Sequence, residues 1–133
     1  MSYKNEFLDQ VHFYLKDSVT KANQINQAWN QIRTYFNELG SSLGKEINLL
    51  GDYVEHYDSS ELVEFSIREQ GFEISKTPFS IYVKTKIHGN YNTVGILEFN
   101  DGNVINMKDG LTFIEESLDE WFKSLYGKNL ENL

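Results

Sequence analysis

The first forty residues of the chain carry one uninterrupted pattern of apolar positions, spaced alternately three and four residues apart. These positions are Leu8, Val11, Leu15, Ser18, Ala22, Ile25, Trp29, Ile32, Phe36 and Leu39. They fill the a and d positions of a heptad repeat, in which Ser18 is the only polar residue. The pattern predicts one long helix over about residues 3–39, with Ser2 as its N-cap and Gly40 as its end.

The apolar face of this helix is wider than the seam of a simple coiled coil. The five g positions are Phe7, Tyr14, Lys21, Ala28 and Tyr35. Four of them are apolar or aromatic, so about three residues per heptad need cover. A helix of this length spans about 55 Å, whereas a compact domain of this size measures about 35–40 Å across. The helix therefore either extends beyond its own domain and pairs with a second chain, or breaks into a hairpin near Ser18.

The heptad phase favours the unbroken helix. It continues without a shift across residues 17–20, although these residues are poor helix formers. We therefore expect a homodimer in which the helix of one copy contacts the helix of the other. The side chains expected at this contact are Ala22, Ile25, Trp29, Ile32 and Phe36.

The chain after this helix shows first a helical and then an alternating pattern. Leu43, Ile47, Leu50, Val54 and Tyr57 recur at helical spacing and predict a second helix over about residues 43–57. Apolar residues then alternate with polar ones over 63–67, 72–74, 79–87, 94–99 and 104–107. Turns at residues 70–71 and 100–103, and a loop at 88–92, separate these runs. Such short connections predict an antiparallel meander sheet of four or five strands.

A last helix is predicted over about residues 112–126. Thr112 and Glu115 have the spacing of a capping box, and Gly127 stands where a helix ends. The prediction is thus a single α+β domain over residues 1–133, with a helical part at about 3–57, a sheet at about 62–107 and the C-terminal helix packed on the sheet.

Composition narrows the function classes. The chain has no cysteine, which excludes disulfides and thiolate chemistry. Its 20 acidic and 12 basic residues give a net charge of −8, which disfavours direct binding of nucleic acid. No signal peptide and no membrane-spanning run is present, so we expect a cytoplasmic protein.

No catalytic or metal-binding motif is recognisable. The segment 40–46 has three residues between its glycines and no Ser or Thr after Lys45, so it does not match a phosphate-binding loop. His12, His56 and His88 fall on different predicted elements. We therefore expect no enzymatic activity, no metal and no cofactor. A less favoured alternative is a small-molecule binder or hydrolase with a pocket near His88 and Tyr91.

One charged surface is predicted on the last helix. Its acidic residues Glu115, Glu116, Asp119 and Glu120 lie on one side of the helix and are called the acidic ridge below. Two functions follow as hypotheses. The first is a non-enzymatic interaction module (an adaptor, chaperone-like or regulatory protein) that self-associates through its first helix. The second is an acidic inhibitor or immunity-type protein that uses the ridge to neutralise a basic partner, such as a nuclease or a DNA-binding protein.

Overall fold

The computed structural model describes residues 3–127 of the chain. Three helices come first: α1 Tyr3–Tyr14, α2 Lys16–Ser42 and α3 Gly44–Leu50. After one 3₁₀ turn at Gly51–Tyr53 the strands are β1 Val54–Asp58, β2 Leu62–Ile67, β3 Gln70–Lys76, β4 Ser80–Ile87, β5 Asn90–Asn100 and β6 Asn103–Asn106, and α4 Glu115–Tyr126 follows them. All six strands pair antiparallel in chain order. The predicted α+β class, with a meander sheet and a C-terminal helix, is confirmed.

The predicted long helix is interrupted only at Leu15, and it does not fold back at Ser18. Leu15 donates a backbone hydrogen bond to Val11 and accepts one from Val19, both at 2.9 Å. These are the bonds of a regular α-helix, so α2 continues where α1 ends. Gly40 does not end the helix, which runs on to Ser42. The predicted N-cap Ser2 lies outside the described residues.

The predicted second helix is wrong after residue 50. Gly51 has a φ of +57°, which removes it from the helical region and ends α3. Residues 54–58 form strand β1, whose Val54 and His56 face inward opposite Ile67 and Phe65 of β2. The spacing of Leu50, Val54 and Tyr57 fits a helix, but residues 54–58 pair with β2 and therefore form a strand. This strand brings the sheet to six strands, where four or five were predicted.

Three two-residue turns connect the long strands. The turn at Asp101-Gly102 is confirmed, and both residues have a positive φ, as a type I′ hairpin requires. The predicted turn at residues 70–71 is wrong, because the chain turns at Arg68-Glu69 instead. The predicted loop at 88–92 shrinks to the turn His88-Gly89, which has the same positive φ angles.

The core lies between one face of the sheet and the helices α2 and α4. Its largest fully buried side chains include Phe36 of α2 and Phe65 of β2, whose ring centroids are 6.0 Å apart. Phe122 of α4 stacks on Phe72 of β3 at 5.7 Å. These contacts place both helices on the same face of the sheet, and aromatic pairs of this kind add about 0.5–1.5 kcal/mol each beyond area burial.

An ion pair fixes α2 to the edge strand β1. The Arg33 guanidinium donates two hydrogen bonds to the two carboxylate oxygens of Asp58, at 2.9 and 2.8 Å. This pairing lowers the pKa of Asp58. The bidentate geometry sets the orientation of α2 relative to the sheet.

The C-terminal helix begins later than predicted. Thr112 pairs with Ile105 in a β-bridge, so it is not available to cap a helix. Ile114 is the N-cap residue instead, and Ser117 at N3 makes the return bond of a capping box, because its Oγ accepts a hydrogen bond of 3.1 Å from the backbone N–H of Ile114. The predicted capping box of Thr112 and Glu115 is therefore wrong. Gly127 follows the last helical residue but keeps a right-handed backbone.

Candidate functional site

The N-terminal half of the long helix carries apolar side chains that no other part of the described chain covers. Helix α1 has no buried residue, and the first buried residue of α2 is Ile25. The segment 3–22 is about 30 Å long at 1.5 Å per residue. Its large exposed apolar side chains are Tyr3, Phe7, Leu8, Phe13, Tyr14, Leu15 and Val19.

Most of these side chains lie on the same side of the helix as the α2 residues that are buried in the core from Ile25 onward. Leu8 and Leu15 occupy a positions, and Phe7 and Tyr14 occupy the neighbouring g positions. This face, made of the a, d, e and g positions of residues 3–22, is called the exposed helical face below. Phe13 is at an f position, on the opposite side of the helix, and is 82% exposed. Because the heptad continues from residue 8 to residue 39, the exposed helical face extends the surface that is buried in α2.

The structure places four of the five residues predicted at the dimer contact in the core of the single chain. Ile25, Trp29, Ile32 and Phe36 are all nearly or fully buried against the sheet and α4, and Ala22 is half-buried. The exposed helical face therefore precedes these residues in the sequence. Periodicity identifies the face, but it does not show where along the helix the domain ends.

The segment that carries this face is electrically neutral. Residues 3–22 contain three lysines and three acidic residues, whereas the whole chain has a net charge of −8. Two copies of such a segment meet without net repulsion. The neutral charge of residues 3–22 can be counted from the sequence, but only the structure shows that this segment is the part of the helix outside the core.

The acidic ridge is exposed, and the structure divides it between two grooves. Glu115 lines a groove between α2 and the start of α4. Glu116 and Glu120 line a second groove, against the segment that follows β6. Asp119 accepts a hydrogen bond of 2.9 Å from the hydroxyl of Tyr35 in α2. Burial and this bond raise the pKa of Tyr35, so Asp119 has a structural contact inside the protein.

His88 lies at the tip of a hairpin. Its Nδ1 is 3.0 Å from Oε2 of Glu69 in the neighbouring turn, and the side chains are 66% and 74% exposed. The hydrogen bond to His88 lowers the pKa of Glu69. Tyr91 stands on the sheet face away from the helices, with the Lys86 Nζ 5.7 Å from its ring. Tyr91 and Lys86 line a cavity of about 310 Å³ on that face, together with Ser66 and Glu64, and His88 is not among its lining residues.

No protein-family model, no curated protein and no solved structure matches this chain. Among the described residues, no group of three or more His, Asp or Glu side chains is placed to hold a metal ion. Within residues 3–127, no helix is both long and apolar enough to cross a membrane.

Proposed function

We propose that this protein is a non-enzymatic interaction module that self-associates by pairing the exposed helical face of two copies. The observation that carries the proposal is that α1 has large apolar side chains and no buried residue. Exposed apolar surface of this extent is typical of protein interaction sites. A second copy is the occupant that fits best, because it offers the same neutral apolar face.

The position of the sheet favours an antiparallel arrangement of the two helices. From Ile25 onward, the a and d positions of α2 are covered by the chain's own core. A parallel partner helix would run into this core, because both helices would continue past residue 25 on the same side. An antiparallel partner avoids the collision, since its own domain lies beyond the N-terminus of the first helix.

A specific register follows from the heptad. In an antiparallel pair, a positions meet d positions of the partner helix. Full overlap of residues 4–22 pairs Val11 with Leu15 of the second copy, and Leu8 with Ser18. The two-fold axis then passes near residue 13, which brings the two copies of Tyr14 close together.

Light scattering coupled to size exclusion tests this proposal. The chain has a mass of 15.5 kDa, and we expect twice this mass at about 100 µM, with dissociation on dilution toward 1 µM. A mass of 15.5 kDa at every concentration would refute self-association.

A further inference from the structure

The second groove, which Glu116 and Glu120 of the acidic ridge line, also has large apolar side chains in its lining. It lies between α4 and the segment 106–114 and has a volume of about 510 Å³. Leu111 and Ile114 line it while remaining 66% and 52% exposed. Trp121 of α4 forms part of its wall and packs over Gly95 of β5, where a Cβ would lie 2.9 Å from the indole.

The segment that presents these apolar side chains is held in place by hydrogen bonds. The buried side chain of Asn106 accepts hydrogen bonds through Oδ1 from the backbone N–H groups of Ile96 and Lys108, both at 3.0 Å. The carboxylate of Asp109 accepts a bond of 2.9 Å from the N–H of Leu111. The N–H of Phe113 bonds the carbonyl of Val104 at 2.8 Å. Leu111 and Ile114 are therefore displayed by a fixed backbone, which lowers the entropic cost of binding.

The rim of this groove carries negative charge. Asp109, Glu116 and Glu120 line it, and none of its lining residues within the described chain is Lys or Arg. Glu116 and Glu120 are four residues apart on α4, where like charges cost about 0.2–0.5 kcal/mol. Neither has an ion-pair partner among the described residues. A cation bound between them would remove this repulsion.

We infer that this groove binds a segment of a partner protein in which one or two large apolar side chains are flanked by Lys or Arg. The apolar side chains contact Leu111, Ile114 and Trp121, and the cationic side chains pair with the carboxylates of the rim. This inference goes beyond self-association and does not depend on it, because the groove and the exposed helical face are formed by different elements.

Titration with synthetic peptides tests the inference. The first peptide contains leucines flanked by lysines and no aromatic residue; the second has serine in place of each lysine, and the third has glutamate. Emission of Trp121 reports binding, because Trp29 is buried in the core. We expect the lysine peptide to bind at least about tenfold more tightly than the other two, and its affinity to fall as salt is added.

Matched variants locate the binding site. Glu116→Lys with Glu120→Lys should weaken the lysine peptide at least about tenfold, and Leu111→Ser should weaken it by about as much. Glu115→Lys is the control for charge, because Glu115 lies on the same helix but lines the other groove. Each variant is compared by thermal unfolding, and Leu111 and the acidic residues are exposed, so the fold should be retained.

The outcomes distinguish binding of the peptide in the groove from a nonspecific attraction to the net negative charge of the protein. The single variant Glu116→Lys changes the net charge by the same amount as Glu115→Lys and should weaken binding more; equal weakening by the two would overturn the inference, since binding would then follow net charge alone. Equal binding of the serine peptide, or no binding of the lysine peptide, would overturn it as well. Unchanged binding by a monomeric Leu15→Asp variant would support the independence of the groove from self-association, and loss of binding there would contradict it.

Discussion

Substitution of Leu15 separates association from folding, because this side chain lies on the exposed helical face and outside the core. Leu15 is 41% exposed in the single chain. In the antiparallel pair, each copy of Leu15 packs against Val11 of the other helix. Leu15→Ala removes this contact twice per dimer, and Leu15→Asp places two carboxylates in the apolar seam.

The size of the effect follows from the exposed fraction. Full burial of a leucine side chain contributes about 1.5–3 kcal/mol, so burying the exposed part contributes about 1 kcal/mol per copy. Leu15→Ala should therefore weaken the dimer by about 2 kcal/mol, or about 30-fold in Kd. Leu15→Asp should abolish the dimer at micromolar concentrations, because an unpaired carboxylate in an apolar contact costs several kcal/mol more.

The wild-type affinity sets the concentrations for this assay. Each copy contributes six large apolar side chains from the exposed helical face, namely Phe7, Leu8, Val11, Tyr14, Leu15 and Val19. If each buries about half of its surface, it contributes about 1 kcal/mol, and the twelve side chains of a dimer contribute about 12 kcal/mol. About 5 kcal/mol of this is lost to restricted motion. The remaining 7 kcal/mol corresponds to a Kd on the order of 10 µM. Sedimentation velocity from about 1 to 100 µM covers the transition.

Phe13→Asp is the matched control. Phe13 is more exposed than Leu15, but it points to the opposite side of the helix, so its replacement should leave the Kd within about threefold. At protein concentrations well below the Kd, where the wild type is monomeric, both variants should unfold within about 0.5 kcal/mol of the wild type. Equal loss of association in Phe13→Asp and Leu15→Asp, or an intact dimer in Leu15→Asp, would refute the assignment of the interface.

Four further changes test the fold. Ile25→Ala should cost about 2–5 kcal/mol of unfolding free energy in denaturant titrations, because Ile25 is a core residue; a loss below 1 kcal/mol would contradict its burial. Asn106→Ala should cost about 1–3 kcal/mol in the same titrations, because the backbone N–H groups of Ile96 and Lys108 lose the buried side-chain oxygen that accepts their hydrogen bonds. Gly95→Ala should lower stability by about 1–3 kcal/mol and shift Trp121 emission, since the new methyl group meets the indole. The pKa of Asp58 is lowered mainly by its hydrogen bonds from Arg33. This contribution to stability is therefore complete above about pH 4 and is lost as the pH falls through the lowered pKa. The stability gap between wild type and Arg33→Ala should accordingly close under acid, and a gap independent of pH would refute the pairing.

The long helix and most of the sheet were predictable because their patterns are long and regular. The heptad frame from Leu8 to Leu39 crosses a weak stretch without changing phase, and the helix follows it. The Asp101-Gly102 turn was predictable because few residues tolerate two successive positive φ angles. The missed turn at Arg68-Glu69 contains no glycine, so its left-handed residue carries no local signal.

Two other sequence errors share one physical cause, which is that tertiary pairing overrides local preference. Residues 54–58 fit a helical stripe, but β2 offers them a ladder of hydrogen bonds and a place at the edge of the sheet. Thr112 has the spacing of a helix cap, but its backbone pairs with β6. The boundary between the buried and exposed parts of the long helix depends on where the sheet ends, which no residue in the helix encodes.

Crosslinking of single-cysteine variants tests the antiparallel pairing most directly. The chain has no cysteine, so each introduced thiol is the only one present. In the proposed register the two copies of Tyr14 lie near the two-fold axis, whereas the two copies of Phe7 are separated by about 18 Å along the helix. With a short bifunctional maleimide, we predict efficient dimer crosslinking for Tyr14→Cys and little for Phe7→Cys. Equal crosslinking at both positions, or none at either, would contradict this account.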